Sequence, residues 1–296
     1  MSNVSPARDN SGRASLWTPS PREVQRQEAR KAINRKKILI AATSSIFVLG
    51  ALASLIVTSP GWQVVKETFF DWSYGTEVLG AISKGLIVNV RLTIIATILI
   101  GIFALVLALL RTSRSAALTP FRFLATAYVD IFRGIPLLLV ILLIGFGLPA
   151  LRIEGLTNSV LILGTTAVVL TYSAYVAEVL RSGILSIHPS QRAAARSLGL
   201  TSSQTMRHVV LPQAVKRVVP PLLNDLVALI KDTGLVSILG VTDAVRAAQI
   251  ASSRTFNYTP YVIAAILFLL ITIPLTRYTD RVLAKSIKRQ NAQGAA

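Results

Sequence analysis

Charged residues are absent from 38–57, 92–110, 134–151, 155–177 and 255–276. Each run approaches the ~20 residues that a helix needs to cross the hydrocarbon core of a bilayer. A further apolar stretch, 218–242, carries Asp225, Lys231 and Asp232, and reads as a span only if those groups face protein or water. The pattern predicts six spans. None shows the two-residue alternation of a membrane barrel, and lipid offers no partner to unpaired backbone groups, so the expected fold is all-α, a polytopic membrane helix bundle. Pro136 removes a backbone donor near the start of the third span and predicts a kink there.

Charge orients the spans. Segments 1–37, 111–122, 181–217 and 277–296 hold 23 Lys or Arg, whereas 59–84, 152–158 and 243–259 hold 5. The positive-inside rule puts the first set, and with it both termini, in the cytoplasm of a plasma-membrane protein. Arg91, Arg133 and Lys231 are left within or at the ends of spans. Of the 296 residues, 52% are hydrophobic and 15% charged, against the ~25% charged of soluble domains. The net charge of +18 would point to nucleic acid on a soluble chain, but topology accounts for it here and no nucleic-acid partner is expected.

With no cysteine and two histidines, disulfide, thiolate and iron–sulfur chemistry is excluded and no metal site is expected. His188 and His208 read as solvated loop residues. Residues 1–37, rich in Ser, Pro, Arg, Asn and Gln, are expected to form a disordered cytoplasmic tail, and 286–296 a second tail. Residues 38–58 read as an extra anchor: Ala51-Leu52-Ala53 resembles a signal-peptidase site, but the polar region before it is too long for a cleaved signal. Trp62, Phe69, Phe70, Trp72 and Tyr74 crowd the next segment, as suits a membrane–water interface.

The sequence lacks a Gly-x-x-x-x-Gly-Lys-Ser/Thr loop, a Gly-x-Ser-x-Gly elbow and a His-Glu-x-x-His helix. No enzyme activity is expected of it, and no cofactor. The longest inner loop is more informative. Pro189 punctuates the chain, Ser190 can cap a helix, Gln191 and Ala193-Ala194-Ala195 continue it, and Gly199 can end it. A helix of about two turns is marginal in water by itself, so a fold or a docked partner must hold it.

This loop resembles the EAA loop of ABC-importer permeases. Gly199 is followed by nine residues, then Val209, one residue, and Leu211-Pro212, as in that pattern. Ala193 stands where the family has glutamate. With Ser190 as N-cap, Ala193 would be the third helical residue, and loss of a capping-box partner there would cost about 0.5–1 kcal/mol. Tyr128-Val129-Asp130-Ile131-Phe132-Arg133-Gly134-Ile135-Pro136-Leu137 is similar to a segment of the polar amino acid uptake branch. So are Leu211-Pro212-Gln213-Ala214, Pro220-Pro221, Asn224 and Lys231-Asp232-Thr233-Gly234-Leu235, with Gly234 where serine is usual.

The resemblance covers 85–285 and implies a type I importer permease core of five spans, with a coupling loop at 183–217. It also implies a second permease, as homodimer or heterodimer, two cytoplasmic ABC ATPase subunits, an extracytoplasmic solute-binding protein, and alternating access driven by ATP. Ser190, Gln191, Ala193, Ala194, Ala195, Gly199, Leu211 and Pro212 are the residues it assigns to the ATPase-coupling loop.

Asp130 with Arg133, and Glu178 with Arg181, are three residues apart on helices and read as structural ion pairs, ahead of substrate contacts. Asn224 and Lys231, and Asp225 and Asp232, are seven apart and form two polar stripes on one helix. A rise of 1.5 Å per residue from Pro221 puts Lys231 about 15 Å in, near the midplane, and Thr233-Gly234 then offers a break of the kind that lines transporter sites. Lys231 with Asp225 or Asp232 could bind an amino acid zwitterion; the same groups could instead neutralise one another or line a dimer seam. Two rivals remain: an ion-coupled carrier using Asp130, Glu178 or Asp225 as a relay without an ATPase, and a scaffold that docks through the loop but transports nothing.

Overall fold

The computed structural model describes residues 20–113 and 115–294, and every regular element among them is helical. The chain divides into two compact units, Met1–Val65 and Lys66–Ala296.

In the first unit, α1 (Pro21–Val57) starts with Ser20 as N-cap, whose hydroxyl accepts from the Glu23 N–H at 3.3 Å, and with proline in its first turn. The expectation of a disordered tail over 1–37 is corrected for 21–37, which are helical; residues 1–19 lie outside the described residues. The Ser-Pro start and a run of Arg, Gln, Glu, Ala and Lys extend the helix outward from the apolar anchor, since adding turns to an existing helix needs no core. Ile33–Val57 is long and apolar enough to cross a membrane, and none of its apolar window is buried by protein.

α2 (Trp62–Phe69) leads into the second unit, whose centre is the 41-residue α3 (Trp72–Thr112). Leu92, Ala96, Ile100, Ala104 and Leu107 of α3 pack on Ala167, Val168, Ala174 and Ala177 of α6 (Val160–Leu185). Small residues at this seam let the two backbones approach closely, the main source of helix association where lipid removes the hydrophobic drive. The opposite end of α3 packs Val78, Ile82 and Leu86 on Ala244, Ala247 and Ala248 of α10 (Ala244–Thr255) and Ala264 of α11 (Thr259–Gly294). The expected tail at 286–296 continues α11 to Gly294, with 295–296 outside the described residues.

Two of the expected spans are not straight apolar helices. The third, expected over 134–151, is the short α5 (Leu137–Ala150), which meets the preceding α4 (Thr119–Gly134) at 106° across an extended Ile135 and Pro136. The predicted kink is a full break, because Pro136 both lacks an N–H and forces the residue before it out of helical geometry. The fifth is α9 (Leu211–Asp232), which passes into a 3-10 turn over Thr233–Leu239. Its charges keep it out of the helices apolar enough to cross a membrane: four among the described residues, or five if α4 and α5 count as one.

Asn89, fully buried in α3, ties this broken region together. Its amide donates to Asp243 Oδ2 at 3.0 Å and Thr233 Oγ1 at 3.2 Å, and its oxygen accepts from the Ala244 N–H at 3.1 Å. Asp243 in turn caps α10 by accepting from the Arg246 N–H at 2.8 Å. The close approach needs Gly85, one turn before Asn89, where a Cβ would stand 2.5 Å from the Asp243 carbonyl. Gly85→Ala is expected to destabilise the protein by about 1–3 kcal/mol through forced backbone displacement. Gly80→Ala on the same helix, where a Cβ meets nothing within 4 Å, should be neutral or stabilising by up to ~1 kcal/mol. Thermal unfolding of the two detergent-solubilised variants checks the contrast.

Candidate functional site

The loop after α6 folds as α7 (Pro189–Ser197), α8 (Ser202–Thr205) and a π-helical turn over Met206–Val210 that runs into α9. The N-cap of α7 is His188, not Ser190: the His188 Nδ1 accepts from the Ser190 N–H at 3.2 Å and lies 2.7 Å from its hydroxyl. Pro189 at the first helical position shifts the register, so Gln191 is the third helical residue and Ala193 the fifth. The capping-box account of Ala193 is therefore corrected. Ser190, Gln191, Ala193 and Ala194 are exposed, Ala195 is buried, and a side chain at 193 points outward from the helix.

Gly199 ends α7 with φ +83°, where the Leu200 N–H reaches the Ala195 carbonyl at 3.2 Å and the Gly199 N–H reaches that of Arg196 at 3.0 Å. This paired closure needs a left-handed residue, which glycine supplies without strain. The π turn has its cause in Pro212: with no N–H to bond and a ring that crowds the preceding turn, it leaves the Leu211 N–H bonded to Met206. Leu211 and Pro212 are exposed at the start of α9. The loop is anchored by Ile184, Ile187, Val210 and Ala214, by Arg192 donating to the Ile184 carbonyl at 2.5 Å, and by Arg217 donating to the Ser186 carbonyl at 2.6 Å. Leu198, 84% exposed at the end of an otherwise polar helix, is the apolar tip of this rigid projection.

Above the loop, Glu178 gathers three arginines. Its carboxylate is 2.6 Å from Arg181, 2.7 Å from Arg111 of α3 and 3.9 Å from Arg133 at the end of α4. The Glu178–Arg181 pair forms as the spacing suggests. The Asp130–Arg133 pair does not: Arg133 turns to Glu178 and lies over the Tyr175 ring at 5.9 Å, while Asp130 is exposed and makes no ion pair among the described residues. The packed face of α4, not its sequence spacing, decides which partner Arg133 meets. Arg111 was hidden from sequence reading because it counts equally well as one more basic residue of an inner loop.

On α9 the two polar stripes separate. Asn224 and Lys231 are exposed on this chain, whereas Asp225 and Asp232 turn inward to α6. They line a cleft of about 250 Å³ with Leu137, Thr171, Tyr172, Tyr175 and Ala228. The Tyr172 hydroxyl donates to Asp232 Oδ2 at 2.6 Å. A second, more apolar cleft of about 150 Å³ opens on the α3 side of the same Tyr172 and Asp225, bounded by Ile100, Gly101 and Leu226 among others. Thr233 faces away, buried against Asn89 and donating to the Ile230 carbonyl at 2.8 Å; it belongs to the helix break and not to the cleft. Lys231 with its aspartates does not converge on one point. Tyr172, Tyr175 and Glu178, at three-residue spacing on α6, are a stripe that helical periodicity alone could have revealed. Among the described residues no group of three His, Asp or Glu could hold a metal ion.

A family described as "Binding-protein-dependent transport system inner membrane component" matches residues 115–288. The probable glutamine ABC transporter permease protein GlnM of Bacillus subtilis is 38% identical over 202 residues, covering 66% of this chain and 91% of its own. The arginine transport system permease protein ArtQ of the same organism is 32% identical over 207 residues, covering 70% and 92%. Among solved structures, the crystal structure of an amino acid ABC transporter with histidines superposes with a TM-score of 0.64 at 33% identity, over 69% of this chain and 94% of that one. The inward-facing MetNI methionine ABC transporter shares the fold, with a TM-score of 0.56 at 19% identity over 69% of this chain and 95% of its own.

Glu178→Gln should leave the Arg111 side chain, 9% exposed, without a counter-charge. The expected loss is about 2–3 kcal/mol, below the figure for a fully buried pair because Glu178 keeps 20% of its side chain accessible. Thermal unfolding in detergent at two salt concentrations measures it.

Proposed function

The chain belongs to the inner-membrane components of binding-protein-dependent transport systems and is a permease subunit of an ATP-driven importer; from this premise we propose that its cargo is a polar amino acid, moved by alternating access along the face where α6 meets α9. The observation that carries this reading is the cleft along the last two turns of α9, lined by two carboxylates and two tyrosines and ending at a helix interruption. Relatives whose names specify glutamine and arginine transport support the cargo class.

The energy comes from a separate ATPase. The sequence has no phosphate-cradling loop, and α7 offers an exposed, anchored helix end with Leu198 at its tip and Ser190, Gln191, Ala193 and Ala194 on its open side. In this assignment 183–217 is the coupling loop of a core at 85–285, and α1 is an additional anchor. The exposed polar groups Asn224 and Lys231 on α9 support a second permease, identical or not, that covers this stripe, since lipid would not. The basic excess supports cytoplasmic termini and leaves the opposite face to the solute-binding protein. An ion-coupled carrier or a passive scaffold finds no support among relatives that are components of binding-protein-dependent systems.

Gly199→Asp tests the lever. The new side chain meets nothing within 4 Å, and aspartate tolerates the left-handed conformation at about 1 kcal/mol, so the variant should reach the membrane. Labelled glutamine and arginine uptake in cells lacking the native chain, and co-purification of the ATPase, should both fall at least about tenfold, the loss expected from a disrupted interface anchor. Gly199→Asn, equally tolerant and uncharged, should retain more of each. Normal uptake by Gly199→Asp would remove the loop from the coupling path.

A further inference from the structure

We propose that a groove between α3 and α6 binds an anionic phospholipid of the leaflet remote from α7, with one acyl chain between the helices and the lipid phosphate at Arg91. The proposal requires that the chain span a bilayer, as an inner-membrane component does, and is independent of which solute it moves.

Arg91 is a charge at the end of a span with nothing in the protein to meet it. It is exposed on α3, and its guanidinium makes no ion pair or hydrogen bond among the described residues. The walls offer no counter-charge. Glu77, the only acid of α3, lies about 21 Å away along the helix axis, and Glu178, the only acid of α6, is held by Arg111 at the other end of α3. Depth follows from the same pairing. Arg111 stands at the end of α3 nearer α7, and Arg91 precedes it by about 30 Å of helix, the thickness of the hydrocarbon core. Arg91 is therefore at the far membrane–water interface, where lipid phosphates lie. Lys84, two turns further out on the same face and also exposed, stands in the headgroup layer.

Below Arg91 the groove is apolar. It has a volume of about 470 Å³ and runs between Leu92, Ile95 and Leu99 of α3 and Leu161 and Leu170 of α6, within the size of small-molecule sites. Thr165 and Thr166 also line it, but their hydroxyls donate to the Leu161 and Ile162 carbonyls at 2.6 and 2.8 Å. No side-chain donor is left below Arg91 to hold a polar solute. From Arg91 to Leu99 the groove descends about 12 Å, inside the ~15 Å of one leaflet. A cation at the interface above an apolar slot one leaflet deep complements a phosphate joined to an acyl chain. A net negative headgroup fits better than a zwitterionic one, which brings its own cation to the phosphate. A soluble anion would meet Arg91 and leave the slot empty, and a helix of a second copy would fill the slot but would need an acid at this depth to meet Arg91.

The test uses the full-length permease with its ATPase, reconstituted in phosphatidylcholine vesicles that carry a trace of phosphatidylglycerol with a photoactivatable diazirine midway along one acyl chain. Mass spectrometry of the irradiated protein should place adducts within 92–99 and 161–170, at a yield at least about fivefold above that of the matching phosphatidylcholine probe, the preference expected of one arginine at an anionic lipid. Arg91→Gln, which breaks no contact within the protein, should abolish that preference and leave adducts elsewhere on the bundle unchanged. Ile95→Trp, which fills the slot and keeps Arg91, should reduce labelling of the groove by both probes. Equal wild-type yields from the two probes, a preference that survives Arg91→Gln, or groove labelling unchanged in Ile95→Trp would overturn the proposal. Displacement of the probe by inorganic phosphate as readily as by unlabelled phosphatidylglycerol would assign Arg91 to a free anion and overturn it as well. So would a groove without adducts on a bundle labelled elsewhere, which would give the slot to protein.

Discussion

A polar group inside a membrane bundle must find its partner in the protein, and at Asn89 one amide meets that demand for three elements at once. It holds Thr233 where α9 gives way to its 3-10 turn, Asp243 where α10 begins, and the first N–H of α10. Lipid would leave these groups unpaired, so the break in α9 is stable only because α3 carries a buried side chain with both a donor and an acceptor at this depth. Asp232 is the last residue before the break, and its position against Tyr172 follows from it. Gly85 makes the arrangement possible by letting the Asp243 backbone rest on α3 without an intervening side chain.

The other end of α6 is fastened differently. Glu178 draws arginines from α3, α4 and its own helix to one carboxylate, so a displacement of α6 must carry those helix ends with it or break charged contacts. Five residues further on, the helix packs directly on α9, and Ile184 and Ile187 join the cluster that seats the loop. The loop that carries α7 is thus tied to α6 and α9, the two helices that line the cleft, by side-chain packing and by hydrogen bonds from Arg192 and Arg217 to main-chain carbonyls. The loop is rigid for its size because each terminus is closed: His188 at the start of α7, Gly199 at its end, and a reciprocal Thr201–Gln204 capping box at α8.

Much of this was legible in the chain. Unbroken apolar runs identified α3, α6 and α11, because a helix in lipid must be apolar over a fixed length. Gly199 was recognisable as a helix stop and Pro136 as an interruption, since both act through local backbone sterics. Local rules misled where two of them competed: Ser190 is a good cap, but Pro189 prefers the first helical position and moved the cap to His188. The charged end of the first anchor lacks the apolar content for a core and so reads as disordered in sequence, although a helix already started by the anchor needs none.

Sequence by itself determined where the chain can enter lipid, which loop is punctuated as a helix, and that α9 carries two polar stripes, because each of these is set by residues within a few turns of one another. Tertiary structure alone decided that Asp225 and Asp232 turn inward while Lys231 turns away, that Arg133 leaves Asp130 for Glu178, and that Tyr172 completes the cleft. Spacing along a helix fixes which residues share a face. Which face is buried, and against whose side chains, depends on how helices distant in sequence pack together, and no local pattern encodes that.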